Sequence, residues 1–167
     1  MSEENGINIR AATSNDVSLV LQFVKGLSEY ERLSDELVAT EENMYDSLFG
    51  PDANAEAVFA CYGNGDRKEV GCAVFTQHYS TYSGRSSLYL EDLFVLPEWR
   101  RYGVGRALMA YGAKLARSRD YRRMEWSVVD WNDPAIGFYE SLGAVRIKGW
   151  LTYRISGEAL ERLDSSD

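Results

Sequence analysis

The stretch Leu88-Tyr89-Leu90-Glu91-Asp92-Leu93-Phe94-Val95-Leu96-Pro97 leads within a few residues to Arg100-Arg101-Tyr102-Gly103-Val104-Gly105-Arg106. The first half reads as a strand over 88–96, apolar except at Glu91 and Asp92, and Pro97 ends it. From Gly103 to about Ser118 the residues Val104, Leu108, Tyr111 and Leu115 fall on one stripe, which predicts a helix. The unit is therefore strand, glycine loop, helix. The first N–H groups of a helix have no partner within it, and the macrodipole is positive at that end. Glycines let a phosphate approach the main chain with no Cβ in the way, and Arg100, Arg101 and Arg106 add fixed positive charge. The expectation is an anion site, with a glycine turn that merely allows tight packing as the alternative. The loop is not a Walker loop, because no Gly-Lys-Ser/Thr follows. Nor is it a dinucleotide fingerprint: it follows the fourth strand and lacks a third glycine.

Working outward, Ile7–Ala11 alternates as a short strand. Thr13 or Ser14 caps a helix running to about Glu31, with Val17, Val20, Leu21, Val24 and Leu27 at helical spacing. Thr40 starts a second helix that carries Met44, Leu48 and Phe49 and stops at Gly50-Pro51. Strands follow at 55–62 and 69–77, joined by a turn at 63–66. Residues 79–87 show no period and read as a loop. Beyond the central helix come a strand at 123–129, a helix at 134–142 ended by Gly143, strands at 145–147 and 150–155, and a short helix at 157–163. The order βααβββαβαββ predicts a mixed α/β sheet in one domain.

The 167 residues carry 45% hydrophobic and 26% charged side chains and a net charge of −8. That suits a soluble globular chain and argues against general nucleic-acid binding. With no run of about 18 apolar residues, no membrane partner is expected. The acidic start, residues 1–6, does not read as a secretion signal, and Cys61 and Cys72 need no disulfide framework; the expected location is cytoplasmic. One histidine, His78, makes a His-based metal site or a Ser-His-Asp triad unexpected, and no metal is predicted. Charge is uneven. Residues 1–97 hold 6 basic and 16 acidic residues, whereas residues 98–123 hold 8 basic and 2 acidic. This pattern suits a polyanionic ligand at one place and a cationic ligand elsewhere; a solvated helix face rich in arginine is the plainer reading.

Two blocks carry a resemblance. Arg100-x-x-Gly103-x-Gly105 after the 88–97 stretch resembles the acetyl-coenzyme A loop of the GCN5-related N-acetyltransferases. Trp131-Asn132-Asp133-Pro134-Ala135-Ile136-Gly137-Phe138-Tyr139-Glu140-Ser141-Leu142-Gly143-Ala144 is similar to that family's second cofactor-side segment. Glu29-Tyr30-Glu31, Tyr89-Leu90-Glu91-Asp92, Trp131-Asn132-Asp133-Pro134 and the late Trp150 resemble the diamine (spermidine/spermine) branch, which includes relatives acting on thialysine. The resemblance covers roughly 7–163. It implies a single-domain fold with a mixed, mostly antiparallel sheet of about seven strands and about four helices, a flexible 1–6, an acidic tail at 164–167, and a homodimer.

It also implies roles. Acetyl-CoA would be the cosubstrate. Main-chain N–H groups around Tyr102, Gly103, Val104 and Gly105 would hold its pyrophosphate, with Arg100, Arg101 and Arg106 reaching other phosphates. The strand at Phe94-Val95 would lie along the pantetheine arm as an added strand does. A backbone N–H nearby would act as oxyanion donor, with Asn132, Ala135, Phe138 and Tyr139 on the opposite wall. A free alkyl amine has a pKa near 10.4, so its neutral form lies about 3.4 units uphill at pH 7, or ~4.6 kcal/mol. Glu91 is the candidate base, acting directly or through water, and Tyr139 the acid that protonates the leaving thiolate. Neighbours on a strand point to opposite faces, so Glu91 and Asp92 would separate unless the strand bulges there. Tyr30, Glu31 and Tyr82, with Glu91 and Asp92, would line the amine pocket. The 79–87 segment lacks the acidic residue and Trp often found in diamine acetyltransferases, which leaves the amine open between polyamine or diamine and a lysine-like amino acid. Two other readings stand beside this one: a protein N-terminal or lysine acetyltransferase, and a non-catalytic coenzyme A-binding module.

Overall fold

The computed structural model describes residues 6–63 and 67–164. Most of the expected flexible start, most of the predicted 63–66 turn and nearly all of the acidic tail lie outside those residues. The chain divides into two compact units, Met1–Val129 and Asp130–Asp167.

In the first unit, β1 (Ile7–Ala11), β2 (Ala55–Tyr62), β3 (Lys68–Ser80), β4 (Arg85–Val95) and β5 (Met124–Glu125) form one sheet in sequence order. β1 to β4 pair antiparallel, and β5 joins β4 in parallel through only Leu88↔Met124 and Tyr89↔Glu125. Between β1 and β2 run α1 (Val17–Glu31) and α2 (Glu41–Phe49); α3 (Val104–Ser118) connects β4 to β5. A capping box at Thr40 and Asn43 starts α2, and Arg32 in the left-handed conformation ends α1.

β2 is buried on both faces because the run Ala57 to Cys61 lies between two helical layers. On one face Phe59, Cys72 and Val74 pack against Val20, Phe23 and Leu48 of α1 and α2. The other face receives α3. A Cβ on Gly71 would meet Val104 at 2.9 Å, and one on Gly112 would meet Phe75 at 2.9 Å and Met124 at 2.7 Å. Both glycines therefore set how closely α3 approaches the sheet. Arg10 ties the entry to α1 to β3, pairing with Asp16 at 2.8 Å and Glu69 at 2.8 Å while its guanidinium lies over Phe59. That cation holds the Asp16 carboxyl well below the usual carboxylate range.

The second unit contains α4 (Asp133–Ser141) and α5 (Glu158–Asp164). Asn132 caps α4 by accepting from the Ala135 N–H at 3.3 Å, with Pro134 in the first turn.

Three sequence expectations change. The described residues contain five strands, not about seven, and five α-helices. The 123–129 strand shortens to two residues, and 145–147 and 150–155 form no strand. Alternation supplies the propensity, but a strand also needs a ladder partner for its N–H and C=O groups; here Val145, Trp150 and Tyr153 stand largely exposed. Conversely, most of the predicted 79–87 loop is hairpin. β3 and β4 pair out to Ser80↔Arg85, Gln77 Nε2 donates to Ser86 Oγ at 2.7 Å, and Gly84 at φ 61 makes the turn. Serines that lack a hydrophobic period still pair through their main chain. His78 sits exposed on β3.

Candidate active site

β4 carries the site because its pairing with β3 breaks register at one residue. Val74 lies opposite Asp92 and Phe75 opposite Leu90, so Glu91 has no residue of its own across the ladder. This is a β-bulge, two residues facing one. Val74 and Thr76, two apart on β3, share a face, and Val74 belongs to the core beneath α1 and α2. Asp92 sits beside Val74 on that face. Glu91 reaches it too, accepting from Thr76 Oγ1 at 3.2 Å. The bulge thus cancels the alternation that would separate the two carboxylates.

Glu31, the last residue of α1, completes the group electrostatically. Burial raises the Asp92 carboxyl to about 6, with the negative charges of Glu91 and Glu31 pushing the same way. Burial also raises Glu31. Glu91 itself is exposed. The face therefore holds carboxylates that repel one another and that a cation would relieve.

On its opposite edge β4 has no ladder partner among the described residues beyond Tyr89, its last residue paired with β5. Leu96 N–H donates to Val70 O at 3.0 Å, so it turns toward β3. Main-chain direction alternates along an antiparallel strand, so Phe94 also turns toward β3, whereas Leu93 and Val95 present their N–H and C=O to the open edge. Phe94 serves through its ring, which packs edge-on to Phe23 at 6.4 Å and close over Gly26. Leu93 is not among the residues the sequence pointed to; strand alternation counted back from Val95 is the signal that places it on this edge. Arg100 Nε donates to Val95 O at 3.1 Å.

After the 3-10 turn Pro97–Trp99, Arg101 at φ 67 and Gly103 at φ 86 are both left-handed. Such turns converge main-chain N–H groups into an anion-binding concavity. Ala107 N–H is bonded back to Gly103 O at 2.9 Å; the N–H groups of Val104, Gly105 and Arg106 precede it in the first turn, where a helix offers its N–H groups no internal partner. Arg101, Tyr102 and Arg106 are exposed and Val104 is buried against the sheet. Of the downstream cations, Arg119 is paired with Glu56 and Arg123 with Glu125. The local positive excess is thus smaller than the residue count suggested.

The structure brings Glu91 and Asp92 to one face, where the charge of Glu31 acts on Asp92, and it brings Tyr30, Phe94 and Val95 together around Arg100. Tyr82 stands apart: it lies at the hairpin tip, 94% exposed, and six residues separate Arg85 from Glu91, roughly 20 Å of strand. Asn132, Ala135, Phe138 and Tyr139 belong to the second unit, where Asn132 is buried as the α4 cap and the Phe138 and Tyr139 rings lie 5.3 Å apart.

Residues 25–144 match the acetyltransferase (GNAT) family. Thialysine N-epsilon-acetyltransferase of Sus scrofa is 32% identical over 170 residues, spanning 93% of this chain and 95% of that protein. L-ornithine N5-acetyltransferase of Arabidopsis thaliana is 28% identical, spanning 93% and 87%. Among solved structures, an integron cassette protein from the mobile metagenome of V. cholerae aligns with a TM-score of 0.76 at 26% identity, covering 96% of this chain and 99% of that one.

Proposed function

The chain belongs to the acetyltransferase (GNAT) family, and from that premise we propose that it acetylates the primary amine of a small molecule, a lysine-like amino acid such as thialysine or a diamine or polyamine. The family's acetyl donor is acetyl-CoA. The observation that carries the reading is the β4 bulge, which gathers Glu91 and Asp92 on one face within the field of Glu31. Residues 7–163 act in this reading as one catalytic domain, a homodimer in the cytoplasm.

The residues present fit the donor. The left-handed turns at Arg101 and Gly103 suit its pyrophosphate. The open edge at Leu93 and Val95 suits the pantetheine amides, which pair as an added strand does. When bound, the coenzyme supplies an activated acetyl thioester. Asn132, Ala135 and Phe138 are assigned to the coenzyme as well.

Asp92 and Glu31 attract the substrate as an ammonium ion. Its charge relieves their mutual repulsion and lowers their proton affinity. Glu91 takes the proton that must leave before the nitrogen can attack; its exposure gives that proton a path to solvent. A carboxylate that holds an ammonium also stabilises it, so binding and deprotonation oppose each other. Assigning them to different carboxyl groups eases that conflict. Tyr139 Oη holds the proton delivered to the departing sulfur: a phenol near 10 is a reasonable donor to a thiolate near 8.5.

The test is thiol release from acetyl-CoA with thialysine, lysine, ornithine, putrescine, spermidine and short peptides. Turnover dependent on a small amine supports the reading. Turnover with peptides alone replaces it with a protein acetyltransferase, and coenzyme A binding with no amine-dependent turnover replaces it with a binding module.

A further inference from the structure

Arg100 heads the loop assigned to the coenzyme phosphates, yet its guanidinium is engaged elsewhere. Its Cζ lies 4.7 Å from the centroid of the Tyr30 ring and 5.5 Å from that of Phe94, and its Nε donates to Val95 O at 3.1 Å. One side chain therefore joins the last turn of α1, the end of β4 and the glycine loop. α1 is shaped for this approach: a Cβ on Gly26 would meet the Phe94 ring at 2.9 Å, so an interior glycine that weakens the helix lets the ring in. Tyr30 directly precedes Glu31, whose charge acts on Asp92.

We propose that Arg100 is a positioning residue for the amine pocket: it holds the end of α1, and with it Glu31, against β4, rather than serving as a phosphate ligand. This rests on the acetyltransferase reading above and adds to it the device that sets the carboxylate face. A planar guanidinium stacks on a ring while donating in its own plane. A lysine ammonium keeps the charge but cannot do both.

The experiment compares wild type, Arg100→Lys, Tyr30→Leu and the double variant with two donors, acetyl-CoA and acetyl-pantetheine; the second lacks the nucleotide phosphates. Arg100→Lys is expected to raise the amine KM about five-fold with both donors, with kcat and coenzyme A affinity changed less than about two-fold. Tyr30→Leu is expected to do the same, and the double variant to add little to either single change. Three results overturn the proposal. One is an effect seen in coenzyme A affinity that vanishes with acetyl-pantetheine, which makes Arg100 a phosphate ligand. Another is fully additive effects of the two substitutions, which separates Arg100 from Tyr30. The third is an unchanged amine KM in Tyr30→Leu, which decides the matter even if the Arg100 variant does not fold. Absence of amine-dependent turnover in the wild type is a different outcome and removes the acetyltransferase reading itself.

Discussion

Asp92→Asn is predicted to make the protein more stable and less active, with the stability gain confined to neutral and alkaline pH. Burial, with the charges of Glu91 and Glu31, raises the Asp92 carboxyl from 3.8 to about 6. A rise of roughly two pH units corresponds to on the order of 3 kcal/mol. The direction follows from linkage. The folded protein binds this proton more tightly than the unfolded chain does. The carboxyl's favourable contribution is therefore fully present below pH 3.8 and is lost as pH rises to about 6. Above that, the ionised group opposes folding, and an uncharged asparagine of similar shape does not. For a chain of this size, each kcal/mol moves the melting temperature by about 2–4 °C. The assay is thermal melting of both proteins from pH 4 to pH 8. Asp92→Asn is expected to melt on the order of 5 °C or more above wild type at pH 7.5, with the gap closing toward pH 4. Its kcat/KM for the amine is expected to fall about ten-fold or more, the loss of a charge-assisted contact. A variant that melts at or below wild type at pH 7.5, with a gap that does not change with pH, refutes the reasoning.

Tyr139→Phe is expected to lower kcat by about ten-fold or more while leaving coenzyme A affinity unchanged; equal turnover would remove Tyr139 as the acid. Glu91→Gln is expected to move the pH–rate profile of kcat/KM to higher pH, because the amine must then lose its proton unaided, and a profile identical to wild type counts against the base. Gly103→Ala places a Cβ at φ 86 and is expected to destabilise the fold by about 1–2 kcal/mol and to weaken coenzyme A binding in calorimetry. Unchanged affinity would mean that the loop does not hold the phosphates.

The elements closest to the site were the most legible in the sequence. Val104, Leu108 and Tyr111 on one stripe announced α3, and the glycines before it marked its start. What the sequence concealed was pairing. Nothing in Leu90-Glu91-Asp92 states that Glu91 is skipped across the ladder; that depends on β3, where Val74 and Phe75 take successive partners. The hairpin at 79–87 was hidden for the same reason, since its serines and tyrosines carry no buried stripe. The opposite error fell at 145–155, where alternation was real but no ladder partner exists among the described residues. Arg100 was read by its charge, whereas its ring contacts with Tyr30 and Phe94 depend on three segments meeting.

The most direct test is a crystal structure of the protein with coenzyme A and an amine substrate. The account predicts pantetheine along the Leu93 and Val95 edge, and the amine nitrogen within hydrogen-bond reach of Glu91 or Asp92 on the face they share. A regular β4 with those two carboxylates on opposite faces, or an amine seated away from both, would contradict it.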